Sequence, residues 1–236
     1  MKQIKMKTFD IPRKLVAEFL GTAFLLAAVI GSGIMAETLS PTKNGVALLA
    51  NMAATGAILT VLIIVFGPIS GAHFNPAVTL AFVIRREITP GQALSYICIQ
   101  IIGALTGAVI AHIMFSAPLL EASNNIRTGP AQWIAEIVAT FGLIMTIFGS
   151  IRFRASAVPY AVGLYISAAY WFTSSTSFAN PAVTMARSLT DSFSGIRPED
   201  MPSFIAAQLI GAVLATIIVN WLFSPQHKDN NYEKKL

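Results

Sequence analysis

The pentapeptide Asn-Pro-Ala-Val-Thr occurs twice, at Asn75 to Thr79 and at Asn180 to Thr184, 105 residues apart. Asn is a favoured N-cap and Pro fits the first helical position, where its missing N–H has no helical partner, so each copy starts a helix. A capping Asn can also turn amide N–H donors toward a passing oxygen. Two such helix starts brought together each carry about half a positive charge, which repels cations. The chemistry this suits is the orientation of neutral, hydrogen-bonding solutes, not bond making. No nucleophile competes with that reading, because the hydroxyl cluster Thr173 to Ser177 has no base beside it in sequence. Cys98 is the single cysteine, which excludes a disulfide framework or a cysteine metal cluster, and His112 and His227 lack partners for a metal site. The expectation is a protein that is not an enzyme and uses no cofactor.

The elements that must position these residues lie in a membrane. Of the 236 residues, 55% are hydrophobic and only 11% charged, against about 25% charged in a soluble domain. Six stretches, approximately 13 to 36, 45 to 67, 91 to 115, 131 to 150, 157 to 173 and 202 to 223, approach the roughly 20 helical residues needed to cross the hydrocarbon. The net charge of +5 is spread over the short segments between them, so it reports topology and not a nucleic-acid partner. With both termini inside, twelve basic residues are cytoplasmic: Lys2, Lys5, Lys7, Arg13, Lys14, Arg85, Arg86, Arg152, Arg154, Lys228, Lys234 and Lys235. Only Lys43, Arg127, Arg187 and Arg197 fall outside. The positive-inside rule therefore predicts a multi-pass protein of the cell (inner or plasma) membrane with both termini cytoplasmic. The apolar run after the N-terminal lysines is too long for a signal peptide, so it reads as retained.

The chain is two copies of one plan. Ala17-Glu18 opens the first span and Ala135-Glu136 the fourth, and Gln100-Ile-Ile-Gly103-Ala104 is echoed by Gln208-Leu-Ile-Gly211-Ala212. Each copy holds three crossings, an odd number, so the second enters from the opposite face. One membrane domain, 1–236, is expected, with repeats at about 11–115 and 130–223 and a polar tail at 224–236. The Asn-Pro-Ala segments fall in connections outside the six spans. The run from Pro76 to Arg85 extends roughly 15 Å as a helix, half the hydrocarbon thickness, so both segments read as half-helices that dip in and meet. Irregular backbone there is tolerated only when buried in protein or lining a watery cavity.

Paired Asn-Pro-Ala boxes, the lead-in Ser70-Gly71-Ala72-His73-Phe74, and Glu18 with Glu136 resemble the aquaporin and glycerol-facilitator family of channels, from about Ile11 to Phe223. The resemblance implies an all-α fold of six tilted transmembrane helices around two re-entrant half-helices, one pore per subunit and a homotetramer. It places Asn75, Pro76, Ala77, Asn180, Pro181 and Ala182 at the pore centre. In the family an Arg usually follows the second box and helps set selectivity near the outer mouth. Here that position is Val183, which neither narrows the lumen nor donates N–H groups. The companion positions are Thr55, Ser177 and, in the fifth span, Tyr170 or Ala168, depending on whether register is counted from Gly163 or back from Asn180. This describes a wide, mildly polar mouth for solutes larger than water. The segment Asn-Pro-Ala-Val-Thr-Met-Ala-Arg187-Ser-Leu-Thr also resembles a bacterial aquaglyceroporin subgroup associated with arsenic resistance. Glycerol, neutral metalloid hydroxides such as arsenite or methylated arsenicals, and water are the implied cargo.

Arg187 lies one helical turn beyond Val183, at i+4, and reads either as a vestibule residue that replaces the absent charge or as a surface Arg paired with Asp191. Glu18 and Glu136 suit acceptance of loop N–H groups, bracing the pore without lining it. His73 suits a bracing hydrogen bond, with protonation gating as the other reading. Gln100 and Gln208, followed by small residues, and the pair Gly103 and Gly107 read as close helix packing. Trp133, Trp171 and Trp221 lie near span ends as interfacial anchors. Three rivals remain: a water-selective aquaporin, a secondary transporter, which needs a coupling group on the path, and a junction-forming protein.

Overall fold

The computed structural model describes residues 9–42 and 44–224. Lys2, Lys5, Lys7, Lys43, His227, Lys228, Lys234, Lys235 and the tail from Pro225 lie outside the described residues. The rest is all-helical: α1 (Ile11–Leu39), α2 (Asn44–Ser70), α3 (Pro76–Ile84), α4 (Pro90–Met114), α5 (Pro130–Arg154), α6 (Val158–Phe172), α7 (Pro181–Arg187) and α8 (Met201–Leu222). Every helix except α2 carries a proline in its first turn, the one place where that residue costs no hydrogen bond. Asp10 and Thr89 add side-chain caps, accepting from the backbone N–H of Arg13 and of Gln92, each at 3.2 Å.

The long helices follow the six expected spans, and α3 and α7 are the two half-helices. The fifth crossing is the outlier. At 15 residues, α6 reaches only about 22 Å, and the short 3-10 turn Ala155–Ala157 links it almost directly to α5. The second half-helix is also shorter than the first, seven residues against nine.

Packing repeats in the two halves. Helix α1 lies on α4 and α2, α5 lies on α8 and α6, and α2 meets α6 between the halves. Glycine makes the α1–α4, α5–α8 and α2–α6 crossings close. A Cβ on Gly103 would lie 2.6 Å from the Phe19 carbonyl oxygen, and one on Gly211 2.5 Å from that of Ile137. At the α2–α6 seam a Cβ on Gly163 would lie 2.6 Å from the Gly56 oxygen. With lipid outside, close backbone approach, not expulsion of water, holds the bundle together. Large apolar side chains such as Phe24, Leu94, Leu164 and Ile217 accordingly face outward, while alanines and glycines fill the contacts.

Between α4 and α5 the segment 115–129 runs along the connection after α7. Glu121 N–H donates to Leu189 O and Ser123 N–H to Ser188 O, both at 3.1 Å, and Arg197 N–H donates to Asn125 O at 2.8 Å. Two carboxylates pin this layer. Asp191 accepts from Asn124 N–H at 2.9 Å and from its side-chain amide at 2.8 Å, which holds the Asp191 carboxyl below its usual range. For Asp200 burial pushes the other way, but the Arg197 guanidinium and the Arg127 backbone N–H outweigh it and keep the carboxyl low.

Candidate functional site

The half-helices meet start to start. Asn75 caps α3 by accepting from Ala77 N–H at 2.8 Å, and Asn180 caps α7 by accepting from Ala182 N–H at 3.0 Å and Val183 N–H at 3.3 Å. Each amide then reaches across to the other loop. Asn75 Nδ2 donates to Ala179 O at 2.7 Å, and Asn180 Nδ2 donates to Phe74 O at 2.8 Å. A side-chain amide has two N–H groups, so each Asn keeps one for the lumen. Phe74 and Ala179, whose carbonyls accept these bonds, both have left-handed backbones, with φ of 48° and 49°. So do Ala72 and Ser177, two residues earlier in each loop. Strain of about 1 kcal/mol or more per such residue persists only where the surroundings enforce it.

The surroundings here are Glu18 and Glu136. Glu18, fully buried, accepts from His73 N–H at 3.0 Å, Phe74 N–H at 2.7 Å, Ser70 Oγ at 2.6 Å and Gln100 Nε2 at 2.8 Å. Glu136 accepts from Phe178 N–H at 2.9 Å, Ala179 N–H at 2.8 Å and Gln208 Nε2 at 2.6 Å. Packing alone is thus too small a part for the two glutamines. Gln100 Nε2 also donates to Thr79 Oγ1 at 3.0 Å, and Gln208 Nε2 to Thr184 Oγ1 at 2.8 Å, linking each glutamate to the last residue of each pentapeptide. That role follows from burial of an amide in an apolar bundle, where an unpaired polar group is costly. The matched positions of Gln100 and Gln208 in the repeat were the signal for it.

A narrow void of about 100 Å³ runs past both Asn residues. One wall is apolar and built from i, i+4 rows: Leu25 and Val29 on α1, Leu59 and Ile63 below Thr55 on α2, Leu143, Ile147 and Ile151 on α5, and Val158, Val162 and Ile166 on α6. The two loops with Asn75 and Asn180 complete the lining. The rows were hidden in the sequence because these helices are apolar all round, so no polar face marks the lining.

At one end the void is lined by Thr55, Tyr170, Ser177, Val183 and Arg187. Thr55 Oγ1 and the Tyr170 hydroxyl are 3.1 Å apart. Tyr170 is buried and Ala168 is exposed, which decides between the two registers in favour of Tyr170 as the lining residue. Arg187 is not the surface residue that one reading allowed: it is 1% exposed, and Asp191 is taken by Asn124. Its Nε donates to Ser194 O, and its guanidinium lies over the Phe178 ring at 3.4 Å from the centroid. His73 lines the void as well, with Nδ1 3.1 Å from Thr79 Oγ1 and its ring stacked on Phe82 at 4.4 Å. Cys98 is exposed and away from the void. His112 is buried, with Nδ1 2.9 Å from Leu119 O. Of the Thr173 to Ser177 hydroxyls, only Ser177 Oγ has no hydrogen-bond partner.

The family model described as Major intrinsic protein matches residues 5–156 and 150–235, nearly the whole chain in two pieces. The chain belongs to the major intrinsic protein family. That membership places it among membrane channels and not enzymes. It is 56% identical over 220 residues to aquaglyceroporin AqpS of Rhizobium meliloti, covering 93% of this chain and 94% of that protein. It is 31% identical over 229 residues to human aquaporin-5, covering 89% and 80%. Among solved structures, the aquaglyceroporin from Plasmodium falciparum superposes with a TM-score of 0.72 at 20% identity, covering 92% of this chain and 98% of that one, which shows the shared fold.

Proposed function

We propose that the chain is a passive channel for small neutral solutes: polyols such as glycerol, metalloid hydroxides such as arsenite or methylated arsenicals, and water. The observation that carries this is the mixed lining of the void, apolar side chains along one wall together with amide donors at the meeting of two helix starts. A solute with a carbon or metalloid back and hydroxyl edges matches both kinds of lining at once, and a hydrated cation matches neither. Thr55, Tyr170, Ser177 and Val183 form the selectivity filter, with Arg187 in the outer vestibule. Val183 in place of an Arg widens it, which favours cargo larger than water and speaks against the water-selective rival. The name aquaglyceroporin carried by the 56% identical relative points the same way.

The protein sits in the cell membrane with both termini cytoplasmic, supported by the excess of basic residues on that side, and it assembles as a homotetramer as the family resemblance implies. The test is a stopped-flow light-scattering panel on purified protein in sealed liposomes with water, glycerol and arsenite as probes. Glycerol and arsenite entry well above that of empty liposomes is expected; rates equal to empty liposomes for every solute would overturn the proposal.

A further inference from the structure

The outer end of the void holds more positive charge than the protein neutralises. Arg187 is fully enclosed, yet no carboxylate lies within 4.0 Å of it among the described residues. Arg127 lies over the same Phe178 ring, 5.1 Å from its centroid, and its side chain donates to the carbonyls of Gly195, Ser175 and Phe193 and to Thr176 Oγ1, none of them charged. The neighbouring acids are already engaged. Glu136 holds the loop N–H groups, Asp191 holds Asn124, and Asp200 accepts from the Arg127 backbone and the Arg197 side chain. A buried cation is stable when an anion or a full set of acceptors compensates it. Arg187 donates from Nε to Ser194 O, and the Tyr170 hydroxyl lies beside its guanidinium, but neither partner carries a compensating negative charge. Arg187 lines the void, and so does Ser177, 2% exposed, whose Oγ has no hydrogen-bond partner.

We propose that Arg187 and Ser177 form a docking site for a small monovalent oxyanion at the outer mouth, which competes with neutral solutes for entry. With Nε occupied, the two terminal guanidinium nitrogens offer parallel donors, the geometry that suits two oxygens of one anion, and Ser177 adds a hydroxyl donor from the filter loop. The anion docks and does not pass. Beyond the mouth one wall of the void is hydrocarbon, from Leu59 and Ile63 to Leu143, and desolvating a charge there is far costlier than desolvating a polyol. The site is therefore inhibitory. Which face it occupies, and the traffic it hinders, rest on the channel reading above.

Methanesulfonate is a suitable probe, because it stays ionised and carries its charge on oxygens; chloride at equal ionic strength is the control. In liposomes, external methanesulfonate should slow glycerol entry saturably and more than chloride does, and the block should fade as glycerol is raised. Arg187→Gln should weaken the block about tenfold, the loss expected for one charge-assisted pair, with Arg187→Lys intermediate and Ser177→Ala a few-fold weaker. Thermal unfolding in detergent gives a readout independent of flux: methanesulfonate should raise the midpoint of the wild type above its value in chloride, and not that of Arg187→Gln. Equal glycerol entry in the two salts, or equal block in wild type and Arg187→Gln, would overturn the site. Should no glycerol pass at all, the channel reading fails, and the thermal shift alone decides whether the anion binds.

Discussion

At the scale of single residues, selectivity at the mouth turns on Val183. Its side chain lines the void beside Tyr170 and Ser177, and its own N–H is spent on Asn180 Oδ1. Replacing Val183 with Arg would add several donors and a long cation to a mouth that already holds Arg187. Glycerol permeability should therefore fall more than water permeability, by roughly tenfold if one to two kcal/mol of entry barrier is added. Paired swelling and shrinking rates of the variant in liposomes check this, and an unchanged ratio of the two would refute the filter assignment. Loss of Glu136 should be costly. In Glu136→Ala the N–H groups of Phe178 and Ala179 and the Gln208 amide lose their acceptor, each worth about 1–3 kcal/mol when left unsatisfied. At about 2–4 °C per kcal/mol for a chain of this size, the melting midpoint in detergent should drop by more than 5 °C. Glu136→Gln should fall between, since an amide can still accept on one oxygen.

At the scale of elements, the crossings should be sensitive to a single carbon. A Cβ on Gly107 meets the Ala23 carbonyl of the facing helix, whereas one on Gly91, near the start of the same helix, meets nothing within 4 Å. Gly107→Val should spread the α1–α4 pair and yield aggregated protein on size-exclusion chromatography; Gly91→Ala should run as a single symmetric peak. The loop layer makes a pH prediction. The Asp200 carboxyl titrates lower in the folded protein than in the unfolded chain, so its contribution is full above the unfolded value, about 3.9, and disappears as pH falls through the lower folded value. The melting difference between wild type and Asp200→Asn should shrink from pH 6 toward pH 3, and a constant difference would mean that Asp200 acts by packing. These elements were largely legible in the residues themselves. Prolines marked nearly every helix start, the duplicated pentapeptide marked both half-helices, and the matched glutamates marked the braces. What stayed hidden was direction around the helix axis. In α2 and α6, where every face is apolar, nothing in the sequence separates Leu59 and Val162, which line the void, from Val61 and Leu164, which are exposed. Arg127 was hidden for a different reason: its partners are backbone carbonyls of distant loops, and a carbonyl has no sequence signature.

At the scale of the whole molecule, the question is whether the two halves form a fixed corridor or an alternating machine. A coupled transporter needs a group on the path whose protonation or ion binding changes as the path switches sides. The two intramembrane carboxylates are on the wrong duty for that. Glu18 and Glu136 sit behind the loops, each saturated by donors from its own half, and neither lines the void. The reciprocal bonds from Asn75 to Ala179 and from Asn180 to Phe74 tie the halves together at mid-membrane, where an alternating mechanism would have to pull them apart. Glycine contacts at the α2–α6 seam fix the same interface from a second side. Glycerol flux should then depend on its own gradient alone. In liposomes, imposing or collapsing a proton or sodium gradient should leave the initial rate unchanged. Accumulation of labelled glycerol against its gradient on applying either ion gradient would show that the halves move, and would return the transporter reading to first place.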